Sequence, residues 1–241
     1  MSRRMGSPRQ APRPGLFGRL KSGCRAEWRA YTGHDFVRAL GAGRLPEACF
    51  RHYLKQDYLF LIHFARAYGL AAYKSDTLRE MREAAATLST LVDTEMSLHV
   101  EFCRGWGLEE AAMAAVPEEP ETMAYTRYVL EAGLAGDLLD LLVALAPCVV
   151  GYAEIGRSLL RASTTRLKGN PYRRWIEMYA GAEYGAVAAG AIAQLDRVAA
   201  QRLGSPVVAG HPRLRSLQST FREATRLEAA FWSMGLRAPR G

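Results

Sequence analysis

Several things are scarce in this chain of 241 residues, and each scarcity removes a class of explanation. Its four cysteines, Cys24, Cys49, Cys103 and Cys148, form no C-x-x-C pair, which argues against a structural zinc and against a disulfide framework. Only five histidines occur, so a histidine-rich metal or redox centre has little to draw on. No apolar run approaches the roughly 18 residues that a membrane span needs. The N-terminal stretch lacks the continuous apolar core of a secretory signal. Strand-like alternation is rare, and no internal repeat is visible. A reducing, cytoplasmic location without membrane contact is the expectation.

Acidic residues are absent from positions 1–26, and this absence explains the charge of the whole chain. The net charge is +8, which at first suggests a nucleic-acid partner. Arg3, Arg4, Arg9, Arg13, Arg19, Lys21 and Arg25 supply seven of those charges, leaving the remaining chain close to neutral. Such a body has no excess of cations for a phosphate backbone, so no nucleic acid is expected. Pro8, Pro12 and Pro14 with little apolar content make residues 1–24 read as a disordered basic tail. Residues 237–241 read as a short C-terminal tail.

Between the tails, apolar residues recur with helical period. Leu54, Tyr58, Leu61, Ile62 and Ala65 form one stripe. Leu88, Leu91, Val92, Glu95, Leu98 and Phe102 form a second, and Leu138, Leu141, Leu142 and Leu145 a third. Breaks at Gly41–Pro46, Ser75–Asp76, Gly105–Gly107, Pro117–Glu121, Gly136–Asp137, Lys168–Pro171 and Gly204–Pro212 predict helices near 46–72, 76–104, 121–134, 137–167, 171–201 and 213–235. The expected fold is a single all-α bundle of seven to eight helices over residues 25–236.

In a bundle, polar side chains on apolar stripes can meet in a central pocket. Cys148 and Tyr152, one turn apart, place a thiol and a phenol on one helix face. Pro147 just before them disturbs local helix bonding. Cys148 can equally pack as a small hydrophobe. Asp57 follows Leu54 by three residues and precedes Leu61 by four, close to the buried stripe, where a carboxylate needs partners for a site or for structure. Tyr179 and Glu183 form another i, i+4 pair. Glu228 lies one turn before Phe231 and Trp232, surroundings that raise a carboxyl pKa and suit a general acid; the plain alternative is a surface Glu paired with Arg222 or Arg226. Glu95 and His99 combine carboxylate and imidazole, but once only and at i, i+4, so no metal is expected.

Taken in order, certain segments carry a resemblance. They are Phe50-Arg51-His52-Tyr53-Leu54-Lys55-Gln56-Asp57-Tyr58, Glu95-Met96-Ser97-Leu98-His99, Tyr125-Thr126, Ala146-Pro147-Cys148, Tyr152-Ala153-Glu154-Ile155-Gly156, Trp175-Ile176-Glu177-Met178-Tyr179 and Glu228-Ala229-Ala230-Phe231-Trp232-Ser233-Met234. Together they resemble the TenA family (thiaminase II, or aminopyrimidine aminohydrolase), in its cysteine-bearing branch, with the haem-oxygenase-like fold. The resemblance implies thiamin salvage: hydrolysis of 4-amino-5-aminomethyl-2-methylpyrimidine to the hydroxymethyl pyrimidine, and in some members cleavage of thiamin. It implies Cys148 as nucleophile, Glu228 as proton donor, and Asp57 bonded to the ring nitrogen and exocyclic amine. Tyr152, Tyr179, Tyr125 and Phe231 would surround the substrate. No cofactor is implied; the partner is a small pyrimidine, and the assembly a homo-oligomer, a tetramer in many members. Phe60 departs from the family, which carries a tyrosine there to help activate the thiol; Tyr58 or another hydroxyl is the candidate substitute. That departure keeps open a non-catalytic or regulatory pyrimidine binder. A haem-oxygenase-like redox protein would need more interior ligands than this sequence provides.

Overall fold

The computed structural model describes residues 15–205, 207 and 210–237. Twelve α-helices fill these residues, with no strand among them: α1 (Leu16–Ser22), α2 (Arg25–Thr32), α3 (Asp35–Gly41), α4 (Glu47–Tyr73), α5 (Leu78–Thr90), α6 (Met96–Arg104), α7 (Glu110–Ala114), α8 (Pro120–Ala135), α9 (Leu138–Arg161), α10 (Arg173–Ala180), α11 (Ala182–Leu203) and α12 (Arg213–Leu236). The all-α expectation holds, while the count of seven to eight is too low. Short helices α1, α2, α3 and α7 have too few residues to display a period. The predicted helix near 171–201 also divides at Gly181, whose extended ψ of 159° ends α10 and caps α11.

Helix α9 is the axis of the bundle. It packs against α8, α10, α11 and α12, and α4 closes the remaining side against α5, α8 and α12. Its start is fixed by a capping box: Asp137 accepts from the backbone N–H groups of Leu139 and Asp140, and Asp140 accepts from that of Asp137. Arg213 at the start of α12 donates to both carboxylates at 2.7–2.9 Å, which ties α12 to this corner. The expectation that no segment is long and apolar enough to span a bilayer needs amending here. An 18-residue window of α9 reaches a mean hydropathy of 1.9, enough by length and composition, but 83% of that window is buried inside the fold. Its apolarity is that of a helix surrounded by other helices.

The expected disordered tail ends earlier than residue 24. Residues 1–14 lie outside the described residues, as do 238–241 of the C-terminal tail, but Leu16–Ser22 form α1. Leu16, Phe17 and Leu20 make a one-turn apolar face that is buried against α11 and α12. Lys21 and the Trp28 indole N–H both donate to Glu154 on α9, securing the segment.

The predicted helix over 76–104 contains a π turn, Leu91–Glu95, between α5 and α6. One extra residue in a turn rotates the downstream helix by about 100°. Ala84 and Leu91 are buried on one side of it, and Val100 and Cys103 on the other. Val92 and Leu98, expected on the buried stripe, are more than half exposed.

Helix α10 crosses α9 at very short range, and Gly156 permits it. A Cβ there would lie 2.5 Å from the Ala180 backbone nitrogen and 2.6 Å from the Tyr179 carbonyl carbon. Backbone cannot swing aside as a side chain does. Gly156→Ala is therefore expected to destabilise the protein by about 1–3 kcal/mol in denaturant unfolding, with Tyr179 displaced.

Candidate active site

Five of the expected site residues border one cavity of about 520 Å³ between α4, α5, the π turn, α9, α10 and α11. Asp57 and Phe60 reach it from α4, Cys148 and Tyr152 from α9, and Tyr179 from the last turn of α10. The spacing within each helix explains the placement, because i, i+3 and i, i+4 positions share a face. Glu228 and Phe231 of α12 and Tyr125 of α8 form the layer behind that wall. All three are almost fully buried.

Glu228 is a carboxyl without a cation. Tyr125 donates its phenolic proton to Oε1 at 2.9 Å, and the Cys148 thiol and Tyr31 hydroxyl lie against the same group. The surface alternative does not arise, since Arg222 and Arg226 pair with Glu27 instead. Burial pushes the Glu228 carboxyl up to about 8, with the hydrogen bond from Tyr125 opposing and the Asp57 charge adding to the rise. It therefore carries a proton at neutral pH.

Cys148 is half-buried where the other three cysteines are buried, so its sulfur meets the cavity. Burial pushes its thiol well above the usual range, and Glu228 and Asp57 push it further. Cys148 thus rests as a thiol rather than a thiolate, with an acid beside it. Tyr31, fully buried, reaches this layer from α2 and comes within 3.4 Å of the Pro147 carbonyl oxygen. Gly151 makes room for it, because a Cβ there would lie 2.2 Å from the Tyr31 ring.

Asp57 is held from behind. Tyr53, one turn earlier on α4, donates to Oδ2 at 3.2 Å, and the Trp175 indole N–H donates to the Tyr53 hydroxyl at 3.4 Å. Burial raises the Asp57 carboxyl, while His99 and Tyr53 act to lower it. The aromatic walls are tilted rings: Tyr152 stands 4.8 Å from Tyr179, and Tyr179 stands 4.8 Å from Tyr184 at 84°. Phe60 packs against Tyr125 at 5.0 Å and Phe231 at 5.9 Å.

Other sequence expectations change. Tyr179 and Glu183 do not form a helical pair, because the chain breaks between them at Gly181. Tyr58 cannot replace a hydroxyl at Phe60, since its phenol donates to Glu110 at 3.1 Å on the far side of α4. Glu95 borders the cavity while His99 turns toward Asp57, so they do not act as one ligand pair. Among the described residues no group of three or more His, Cys, Asp or Glu side chains could hold a metal. Spacing along the chain does not point to Tyr31 or Tyr184 as site residues, whereas Tyr53 lies one turn from Asp57 on the same face of α4. Tyr68 has a readable signal that the sequence reading missed: it continues the α4 row Phe60, Phe64, Tyr68 at four-residue steps into the cavity. Tyr184 lies just past the break at Gly181 and has none.

With that geometry in place, the comparisons are specific. The family described as TENA/THI-4/PQQC matches residues 23–238. This chain belongs to the TENA/THI-4/PQQC family. A crystal structure of a TenA family transcription regulator from Silicibacter sp. is 46% identical, with a TM-score of 0.88, covering 94% of this chain and 98% of that one. An aminopyrimidine aminohydrolase of Halalkalibacterium halodurans is 34% identical over 214 residues, which is 86% of this chain and 89% of the relative. A TenA homologue from P. horikoshii, 24% identical with a TM-score of 0.82 over 94% of this chain and all of that one, shares the fold, the haem-oxygenase-like helical bundle.

The Glu228 environment generates a stability prediction with a defined sign. Its folded pKa of about 8 exceeds the ordinary value of 4.5, so the folded state holds a proton that the unfolded state releases between those values. This contribution is complete below about pH 4.5 and is lost as pH rises toward 8. Glu228→Gln is expected to remove that decline, visible as a flatter dependence of unfolding free energy on pH over this window. A variant that declines as steeply as the parent would show that Glu228 is not the buried neutral acid.

Proposed function

We propose that the chain is an aminopyrimidine aminohydrolase of thiamin salvage, converting 4-amino-5-aminomethyl-2-methylpyrimidine and water to the hydroxymethyl pyrimidine and ammonia. The observation that carries this reading is an aromatic-walled cavity bordered by Cys148 and Asp57, with a protonated Glu228 against Cys148 in the layer behind. The aminohydrolase relative supports the substrate class.

In this reading the flat ring lies between the tyrosine walls with one ring nitrogen beside Asp57. Glu228 gives its proton to the aminomethyl nitrogen and then takes the proton of Cys148 as sulfur adds to the ring. The ring nitrogen takes a proton from the Asp57 carboxyl in the same step and later returns it, so no negative charge builds up in the ring. The dearomatised ring then expels ammonia from the exocyclic methylene. Water adds to that carbon and passes a proton to Glu228, which returns one to the departing sulfur. The ring nitrogen gives up its proton, aromaticity is restored, and every side chain regains its starting state.

Burial of the thiol beside two carboxyl groups supports this order of events. A free thiolate in the empty cavity is unfavourable, so the nucleophile forms only when substrate and proton acceptor are both in place. Phe60 leaves the thiol without the family hydroxyl at that position, and Glu228 is the proton acceptor that remains next to it. A cavity of about 520 Å³ is larger than one small ring requires, which supports intact thiamin as a second substrate. A cytoplasmic homotetramer is part of the same proposal, by family resemblance.

The test is ammonia release from the aminomethyl pyrimidine by the purified protein and by Cys148→Ser. Release by the parent with a kcat at least roughly a thousandfold lower in the variant is expected. Comparable release by both would exclude the covalent route. A folded parent that binds the pyrimidine without turnover would instead make this a binding protein.

A further inference from the structure

His99 of the Glu95–His99 motif is left unused by the proposed reaction, and its surroundings are specific. The ring is largely buried, with a side-chain exposure of 11%. Its Nε2 lies 3.3 Å from the backbone carbonyl oxygen of Leu54 on α4. A carbonyl can only accept, so Nε2 must carry a hydrogen. The other nitrogen, Nδ1, is then the atom that faces Asp57, 3.7 Å from Oδ2. That separation is an ion-pair distance, slightly beyond a hydrogen bond. The π turn at Leu91–Glu95 produces this orientation by rotating α6 toward α4.

Asp57 therefore has two unlike oxygens. Oδ2 faces Tyr53 at 3.2 Å and His99 at 3.7 Å, both on the protein side. Oδ1 accepts no hydrogen bond from the described residues, and Asp57 borders the cavity. With Nε2–H committed to Leu54, the Asp57–His99 pair has one place left for a shared proton, between Oδ2 and Nδ1. Either a carboxylate faces an imidazolium or a carboxylic acid faces a neutral ring.

We propose that His99 and Tyr53 are positioning residues that present Oδ1 of Asp57 to the substrate, and that His99 stores the proton which Asp57 passes to the pyrimidine ring nitrogen. The inference rests on the pyrimidine reading of the cavity. The proton moves from Nδ1 to Oδ2, the protonated carboxyl turns that O–H toward the cavity, and the ring nitrogen takes the proton as the Cys148 sulfur adds. His99 is left neutral with Nε2–H still bonded to Leu54. When sulfur leaves, the proton returns along the same path, so one proton is borrowed and restored per turnover. Burial makes this useful: an aspartate alone in this interior would have to be protonated from solvent, whereas a paired histidine keeps the proton within one side-chain length.

The pair faces several other titratable groups, and each bears on its pH response. On α4 these are Tyr53 and Tyr58, whose ring stacks on His99 at 6.5 Å between centroids. Cys103 of α6 feels the Asp57 charge. Cys148 and Tyr152 of α9, Tyr179 of α10 and Glu228 of α12 feel it from across the cavity. None of the described residues brings a Lys or Arg side chain to the pair, so His99 is the one basic group beside Asp57 among them.

The experiment has two arms. In the first, kcat and KM for the aminomethyl pyrimidine are measured against pH for the parent, His99→Asn and His99→Gln. The expected result is a kcat roughly 100-fold lower at neutral pH with KM changed less than about threefold, recovering as pH falls because Asp57 must then be protonated directly. A merely structural histidine would leave the shape of the pH profile unchanged, and that outcome would overturn the proposal. Tyr53→Phe is expected to raise KM instead, by freeing the carboxylate to rotate. In the second arm, 15N resonances of the histidines are followed by NMR in the parent and in Asp57→Asn, with and without the hydroxymethyl pyrimidine. His99 is expected to retain Nε2–H throughout and to titrate at lower pH in Asp57→Asn. A neutral ring with hydrogen on Nδ1, or a titration indifferent to Asp57→Asn, would overturn the pairing. This arm reads the pair without turnover, so a parent that fails to release ammonia sinks the proposed reaction while the pairing is still decided.

Discussion

Three acidic groups share one apolar interior in this protein, and the low capacity of that interior for negative charge governs its chemistry. The Asp57 charge raises the cost of ionising Cys148 and Glu228, and the Glu228 charge raises that of Cys148. Only one of them has an imidazole within reach, and that is Asp57 with His99. Glu228 instead keeps its proton among Tyr125, Tyr31 and Cys148, and Cys148 keeps its own. Any charge in the resting cavity is therefore confined to the Asp57–His99 corner. Any reaction within it has to move protons between these groups, because separating charge there is costly.

The fold creates this state by bringing four long helices to one point. Asp57 comes from the buried face of α4, Cys148 from the middle of α9, Tyr125 from α8 and Glu228 from α12. Each helix is held in position by features outside the site: the Asp137–Asp140–Arg213 corner, the Gly156 crossing and the Lys21–Glu154 link from α1. The aromatic walls are consequently carried by helices rather than by loops.

Much of this was legible in sequence because helical spacing is a local property. Cys148 with Tyr152, Asp57 with Phe60, and Glu228 with Phe231 all fall on single helix faces, and those faces turn inward as their spacing suggests. The failures have equally local causes. A π turn shifted the register after Leu91, so Val92 and Leu98 are exposed and His99 points at α4. An extended backbone at Gly181 split one expected helix in two and separated Tyr179 from Glu183. Both events depend on the backbone geometry of one or a few residues, which periodicity averages away.

The sequence by itself determined the helical class, the extent of the long helices and the faces they bury, since these depend on the spacing of apolar residues along one chain. It also carried the family resemblance through the order of short motifs. Only the tertiary structure decided which carboxyl is neutral, which aspartate oxygen is free, and which hydroxyls stand beside the thiol. Those properties belong to pairs of helices far apart in sequence, such as Tyr125 with Glu228 and His99 with Asp57. A proton's affinity for a side chain is set by what surrounds it in space, and no spacing along the chain encodes that.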